Sequence, residues 1–404
     1  MKKTKFLKLL FHIAVFFAFS ETSKANAAGL DTLTAYRMAV AADCTYHIVP
    51  ATWSLGSALQ CLKQHNEIPS FSSLAEEDVV FWPKPNGNTN QDINAYVLIR
   101  TANELILAIR GTQPPIPDSS TDISMLRDWL NNFEAVPTED GFHSGFLKAW
   151  TYIQEDLKAN PEAKRLLDDK GQRKFMITGH SKGGAIAIIA AIKMQEGGKE
   201  WPLPKADDIY AFEAARPVTI KRAEKYAGQL PYLKRLDYKA DIVPLLPPGA
   251  ALKAELANYK PLEKIISQAF PKGDTFGYTN DGLGKLYYVN SQNKLLDIPE
   301  PAILKQQIAA VGIAYRDWEG AIVRPVLKGG IPFCHTIENN HLAYVDYLRH
   351  YSTKGEPASG KPITSHWDRY CDTKSVIRAV GRDVKSRLAE ACQLYSLSNL
   401  CTYF

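Results

Sequence analysis

The sequence predicts an α/β fold in which a central, mostly parallel sheet is flanked by helices. A short β-favouring run at 175–178 is followed by a glycine-flanked serine and then by an Ala- and Ile-rich run at 185–193. That order indicates a strand, a tight turn and a helix packed on a sheet. Further β-rich runs follow at 208–213 and 233–238. The chain is also long enough to form one large α/β domain with insertions.

The first 27 residues have the pattern of a secretory signal peptide. Four lysines precede an apolar run at 9–19, and Ala25-Asn26-Ala27 precedes Ala28. The apolar run is too short to anchor the chain in a bilayer. No later run is long and apolar enough to span one, so we expect a secreted or periplasmic protein without a transmembrane segment.

Charge and cysteine content narrow the class of protein further. The leader carries +4 of the formal charge of +5, so the mature chain is close to neutral and a nucleic-acid partner is not expected.

All six cysteines lie after the leader, and an even number in an exported chain favours disulfides. Six cysteines allow 15 pairings. Proximity in sequence favours Cys44 with Cys61 and Cys392 with Cys401, which leaves Cys334 for Cys371. No metal-binding spacing of cysteines and histidines is present.

Helices are predicted at 32–42 and 54–65, within an N-terminal helical cover at 28–94 that we expect to lie over a sheet edge. The runs at 94–100 and 104–110 are β-rich and separated by Thr-Ala-Asn. They predict a hairpin that joins the central sheet.

The main domain is expected to span 95–348, with an insertion at about 249–330. This insertion includes helical patterns at 252–270 and 302–318 and a hairpin formed by 285–289 and 294–298. A cysteine-containing extension, 349–404, is expected to pack on the domain. Within it, 375–394 has an apolar stripe and a basic face, which is typical of a membrane-surface helix or of a solvated one.

Ser181 is the candidate nucleophile. Its neighbours two positions away, Gly179 and Gly183, leave room for a turn so sharp that a Cβ at either position would clash. The second strand of the predicted hairpin ends at Arg110-Gly111-Thr112. Serine hydrolases take one oxyanion donor from such a loop and another from the amide after the nucleophile, so Thr112 and Lys182 are the candidates.

Asp241 is the candidate triad acid because it follows the run at 233–238 and lies after the serine in sequence. Asp after a strand is also a common turn former. A base must follow it in this chain order. His335, His341, His350 and His366 all satisfy that condition, and the order alone does not choose between them.

A candidate lid lies between the hairpin and the nucleophile. Ile123, Leu126 and Leu130 recur at helical spacing, and Met125 is four residues before Trp129. Such an amphipathic helix either covers an active site in water and opens at a lipid surface, or is docked permanently on the core.

Six motifs in order resemble the class 3, or fungal-type, lipases of the α/β-hydrolase superfamily over roughly 95–348. They are Ala108-Ile-Arg-Gly-Thr112, Asp128-Trp-Leu130, His143-Ser-Gly-Phe146, Gly179-His-Ser-Lys-Gly-Gly184, Asp241-Ile-Val-Pro-Leu-Leu-Pro-Pro248 and His341-Leu-Ala-Tyr344. A set of collinear motifs is far more specific than the serine motif alone.

The resemblance implies an α/β-hydrolase fold with Ser181 as nucleophile, Asp241 as triad acid and His341 as base. It implies that Thr112 and Lys182 form the oxyanion hole and that His335 is a bystander. It also implies that the segment at 123–130 is the lid.

The chain departs from the family pattern at three places. Lys182 replaces the usual leucine after the serine. Glu213-Ala-Ala-Arg-Pro replaces the family's Gly-x-Pro-Arg, and Asn132 replaces an acid that commonly supports the oxyanion hydroxyl. The last change weakens the expectation for the Thr112 side chain.

Together these features predict a secreted serine ester hydrolase that cleaves acyl esters of lipids, similar to a triacylglycerol lipase, through an acyl-enzyme. This chemistry requires no metal or organic cofactor, and its partners are a lipid or ester substrate and, transiently, a lipid surface. A phospholipase A-type enzyme would have the same machinery. A catalytically silent lipid-binding or interaction module is the alternative from another class.

Overall fold

A computed structural model describes residues 29–48, 55–82, 94–112, 135–197, 203–238, 241, 243–249, 252, 254, 277–290, 294–316 and 343–354. The predicted leader, the lid segment, His341, His335 and most of the C-terminal extension lie outside these residues. So does nearly all of the helical pattern predicted at 252–270.

Nine α-helices and ten strands occur in the described part of the chain. The helices are α1 (Thr32–Cys44), α2 (Leu55–Gln64), α3 (Pro69–Ser72), α4 (Ser144–Ala159), α5 (Pro161–Asp168), α6 (Lys182–Glu196), α7 (Ile220–Tyr226), α8 (Glu300–Arg316) and α9 (Ala343–Lys354). The strands are β1 (Val79–Trp82), β2 (Tyr96–Arg100), β3 (Glu104–Ile109), β4 (Lys174–His180), β5 (Asp208–Phe212), β6 (Val218–Thr219), β7 (Leu233–Tyr238), β8 (Tyr278–Thr279), β9 (Lys285–Val289) and β10 (Leu295–Leu296). None of these helices is both long enough and apolar enough to cross a bilayer.

Eight strands form one sheet in the order β1-β2-β3-β4-β5-β7-β9-β10. The strands from β3 to β9 in this order pair in parallel, and the outer pairs at both ends are antiparallel. The fold class is therefore the predicted one. The hairpin of β2 and β3 and the hairpin of β9 and β10 both form. The second hairpin falls inside the predicted insertion, yet it is paired into the main sheet through β7.

Helices cover both faces of the sheet because alternate residues of the central strands are buried on opposite sides. Leu105 and Leu107 of β3 join the apolar cluster that contains α4 and α6, whereas Ile106 and Ala108 join the cluster with α1 and α9. The expectation that the N-terminal helices lie over a sheet edge is wrong for α1. It packs across the sheet face against the central strands, and the Met38 carbonyl accepts a hydrogen bond from Thr178 Oγ1 of β4.

The Cys44–Cys61 disulfide is confirmed, and it joins the end of α1 to α2. The other two predicted disulfides, Cys334 with Cys371 and Cys392 with Cys401, lie outside the described residues. The N-terminal segment also contributes β1, so it is more than a helical cover.

The turn between β4 and α6 brings two stretches of backbone into direct contact. A Cβ added to Gly183 would lie 2.2 Å from the carbonyl oxygen of Ile109, and one on Gly179 would lie 2.4 Å from the carbonyl carbon of Gly183. Both distances are far below van der Waals contact, and the opposing atoms are backbone. The first turn of α6 can therefore rest on β3 only because these positions have no side chain.

We expect Gly183→Ala to destabilise the fold by about 3 kcal/mol, because β3 and α6 would have to separate. Urea unfolding measures the change. Gly171→Ala is the matched control, since Gly171 has a φ of +54° but no atom within 4 Å of its added Cβ. The control should lose only the cost of a left-handed residue, about 1 kcal/mol. Equal losses of stability in the two variants would show that the close approach of α6 to β3 does not require a glycine at position 183.

Asp237 of β7 is a buried carboxylate that contacts α8. Its Oδ2 accepts a hydrogen bond from Gln307 Nε2 at 3.0 Å. Burial raises its pKa from 3.8 to about 7, and the negative charges of Asp241 and Glu300 add to the rise, although Arg235 and the Gln307 hydrogen bond oppose it. The folded protein therefore binds a proton here more tightly than the unfolded chain does.

The raised pKa predicts that Asp237 makes the fold less stable as pH rises from about 4 to about 7. Below that window both states are protonated, and above it both are ionised. Relative to the wild type, Asp237→Asn should therefore gain stability across the window, on the order of 3–4 kcal/mol at its upper end. Denaturant unfolding at a series of pH values measures this difference. The exposed Asp168→Asn variant is the control, and the same curve in both would contradict the assignment.

Candidate active site

Three of the candidate site residues, Thr112, Ser181 and Asp241, lie at one edge of the sheet. The parallel strands β3, β4 and β7 end at Ile109, His180 and Tyr238. The carboxyl ends of parallel strands meet at the same edge, where α/β proteins bind their ligands. Thr112, Ser181 and Asp241 each follow one of these ends, so the fold brings the three predicted residues to a common edge.

Ser181 has the backbone of a strained turn. Its φ of 58° and ψ of −123° place it in a region that residues with a side chain rarely adopt. Its amide donates to the Phe212 carbonyl at 3.0 Å, and its own carbonyl accepts from Ala185 at 3.0 Å to begin α6. The residue is thus held by the neighbouring strand on one side and by the helix on the other.

The two candidate oxyanion donors flank this serine. Lys182 is the first residue of α6, and the amides of a helix's first turn point out of its N-terminal end. A Cβ on Gly111 would lie 3.1 Å from the Cβ of Ser181, so the loop that carries Thr112 runs directly beside this serine. Thr112 and Lys182 are both buried. Backbone amides in such a desolvated position suit a developing negative charge.

Asp241 is completely buried just beyond β7. Its Oδ1 accepts a hydrogen bond from the Val243 amide at 2.9 Å, which fixes the orientation of the carboxylate. Its own amide donates to the Tyr238 carbonyl at 3.1 Å. The strand end and the following turn therefore hold this side chain in place, as an acid that orients a histidine requires.

Among the candidate bases, His341 and His335 lie outside the described residues, as does His366. His350 lies in α9. The same helix places Tyr344, three positions after His341, with its ring stacked on that of His180 at a centroid distance of 5.6 Å. Tyr344 is thereby packed against the residue that precedes Ser181.

His143 is a structural residue. It is fully buried, caps the N-terminus of α4 through the Phe146 amide and stacks on the Phe146 ring. The five residues of the predicted lid, Ile123, Met125, Leu126, Trp129 and Leu130, all lie outside the described part of the chain.

A buried polar array of His180, Tyr46 and Glu213 lies directly beside Ser181. His180 Nδ1 is 2.7 Å from the Tyr46 hydroxyl, and His180 Nε2 is 2.9 Å from Glu213 Oε2. His180 and Glu213 are each only 1% exposed. The array joins the 3-10 turn Thr45–His47 that follows α1 to the ends of β4 and β5.

Glu213 is unusual in both its backbone conformation and its electrostatic surroundings. Its φ is +46°, in the left-handed region that favours glycine. Burial raises the pKa of its carboxyl well above the usual range, and the nearby negative charges of Asp241 and Asp237 raise it further.

Sequence reasoning did not identify this array. In the sequence, Glu213 was noted only because it replaces the family's glycine. His180 was noted only as a residue of the serine motif that had no assigned role. Tyr46 had no local signal, because its contact with His180 spans 134 positions of the chain.

Comparison with known proteins gives the following relatives. The profile of the class 3 lipase family matches residues 106–250. A secreted mono- and diacylglycerol lipase 1 from Fusarium solani is 30% identical over 167 residues, which cover 40% of this chain and 44% of that protein. A secreted mono- and diacylglycerol lipase A from Penicillium cyclopium is 24% identical over 214 residues, covering 51% of this chain and 62% of that one. The chain thus spans about half the length of these relatives. Among solved structures, lipase II from Rhizopus niveus is 17% identical with a TM-score of 0.42, covering 71% of this chain and 94% of that one.

The match to the family profile begins in β3 and includes Ser181 and Asp241. The order of the described elements around that serine, with a parallel strand, a strained turn and a helix resting on the neighbouring strand, is that of an α/β-hydrolase. Over residues 106–250, therefore, the chain is similar to the class 3 lipases.

Proposed function

We propose that this protein is a serine carboxylic ester hydrolase that cleaves acyl esters of lipids. The observation that carries the proposal is the conformation of Ser181, which stands on a strained turn at the N-terminus of α6, beside the loop of Thr112. Such a position exposes a hydroxyl to a substrate carbonyl and surrounds the developing oxyanion with backbone amides. A backbone strained in this way costs free energy of folding, and packing alone does not explain why the strain is retained.

In the proposed mechanism, Ser181 Oγ attacks the ester carbonyl while His341 takes the hydroxyl proton. Asp241 orients His341 and stabilises the imidazolium that forms. The amides of Thr112 and Lys182 donate to the oxyanion of the tetrahedral intermediate. The imidazolium then protonates the leaving alcohol, and water repeats the cycle on the acyl-enzyme. Each oxyanion donor should lower the barrier by roughly 3–4 kcal/mol.

The substrate class we favour is an acylglycerol. The Fusarium solani and Penicillium cyclopium relatives are described as secreted mono- and diacylglycerol lipases. We further propose that the chain is exported to the periplasm or the medium, with 1–27 removed as a leader. The segment at 123–130 is proposed as a lid that opens at a lipid surface, so an emulsified substrate should activate the enzyme.

Substitution of each triad residue tests the mechanism. Ser181→Ala should abolish both ester hydrolysis and labelling by a fluorophosphonate probe, because the nucleophile is removed. Asp241→Asn should lower kcat about 10⁴-fold, since the histidine would lose its tautomer and orientation. His341→Gln should be almost inactive. His335→Gln is the matched control and should keep nearly full activity.

Two outcomes would contradict this assignment. If the exported wild-type protein neither reacts with the probe nor cleaves any ester, the chain is not a serine hydrolase and a lipid-binding or interaction module becomes the better interpretation. If His335→Gln loses activity and His341→Gln keeps it, the hydrolase remains but the base is wrong.

A lipid panel tests the substrate class. We expect faster fatty-acid release from emulsified mono-, di- and triacylglycerols than from phosphatidylcholine vesicles, with Ser181→Ala as the background. Comparison of the same acylglycerol below and above its solubility limit measures the effect of the interface. Faster cleavage of the phospholipid would identify a phospholipase A-type enzyme instead.

A further inference from the structure

We propose that Glu213 is a positioning residue for the nucleophile: its carboxyl holds the His180 ring and thereby fixes the turn that presents Ser181. The inference rests on the proposed ester hydrolase function. It concerns a residue outside the triad and outside the oxyanion hole.

Glu213 lowers the stability of the fold in two ways. A side chain at φ +46° is less stable than glycine there. Removal of a carboxyl from water is a second cost, even for a group that is hydrogen-bonded. Because a glycine at this position would avoid both costs, stability alone does not account for the residue. Side chains retained at a cost of this kind cluster at functional sites.

The geometry shows what the carboxyl does. Ser181 and His180 are consecutive, and so are Phe212 and Glu213. The Ser181 amide donates to the Phe212 carbonyl at 3.0 Å, and the side chains of the other two residues meet at 2.9 Å. The two dipeptides are thus joined by two hydrogen bonds, one between main chains and one between side chains. This double link restrains the turn from rotating about the axis of β4.

The opposite side of His180 is held as well. Tyr46 lies 2.7 Å from His180 Nδ1, so both ring nitrogens have partners. The same hydroxyl lies so close to Gly111 that a Cβ there would be 2.0 Å away. The Tyr344 ring stacks on the imidazole. A single imidazole thus contacts three side chains: Glu213, Tyr46, which lies beside the loop of Thr112, and Tyr344 of α9.

Replacement of Glu213 by glycine separates a positioning role from a structural one. Glu213→Gly removes the carboxyl and the strained backbone but leaves His180 Nε2 without this partner, so kcat is compared per folded molecule. We expect kcat to fall about 10- to 100-fold with KM unchanged, because a small misplacement of a nucleophile has an effect of that size. The rate of fluorophosphonate labelling should fall in parallel. Glu213→Gln, whose amide still hydrogen-bonds His180, should keep most of the kcat.

The N-terminal partner has a matched control in the same segment. Tyr36 contacts His65 Nδ1 at 3.2 Å and also Glu67, so it belongs to a second tyrosine, histidine and glutamate group. That group lies in α1 and the turns beside α2, away from the serine turn. Tyr46→Phe and Tyr36→Phe each remove one buried hydroxyl, and both should lower the Tm. Only Tyr46→Phe should lower kcat per folded molecule.

The results distinguish failure of this inference from failure of the proposed function. If the wild type hydrolyses esters and Glu213→Gly is as active as the wild type, the carboxyl does not position the nucleophile and the inference is wrong. It is also wrong if Glu213→Gly loses activity only in proportion to a lower folded fraction, or if both tyrosine variants lose the same kcat. If the wild type is inactive and unlabelled, the proposed function is what fails.

Discussion

The contact on which the site depends is the close approach of backbone between α6 and β3. Gly183 rests against the Ile109 carbonyl, with no space for a methyl group. This contact allows the helix to begin directly above the sheet, where Ser181 has a φ of 58°. The hydrogen bond from Ser181 to the Phe212 carbonyl then ties the turn to β5. Main-chain packing thus places the turn, and the contact between Glu213 and His180 adds a second restraint.

Local features of the sequence predicted most of this arrangement because they are caused by local physics. The run before the serine favours a β-strand, the run after it is rich in Ala and Ile, and glycines stand where a Cβ cannot fit. The strand at 233–238 and the hairpin at 94–110 were predicted for the same reason, and both occur. The Cys44–Cys61 bond was predictable from its short separation.

What the sequence did not predict depends on long-range packing. The position of α1 across the sheet face follows from which strands become neighbours, and no property of 32–44 itself records that choice. The pairing of β9 with β7 is similar, since the hairpin at 285–298 has the same pattern whether it stands alone or completes a sheet. The interaction of Tyr46 with His180 is invisible in either local stretch. The positions of Thr112, Ser181 and Asp241 at one edge were expected from the resemblance, and the sheet order gives the reason for them.

The N-terminal segment is part of the structural unit that holds the Ser181 turn, although the family profile matches only from residue 106. It supplies β1, the helix that covers the central strands and Tyr46, which contacts His180. Without α1, apolar residues of one sheet face such as Met176 and Tyr210 would meet water. Without Tyr46, the imidazole next to Ser181 would lose one of its two polar partners. The disulfide between α1 and α2 holds both ends of the short stretch that contains this tyrosine. Export into an oxidising compartment, where such a bond persists, would thus serve the geometry of the site as well as the stability of the fold.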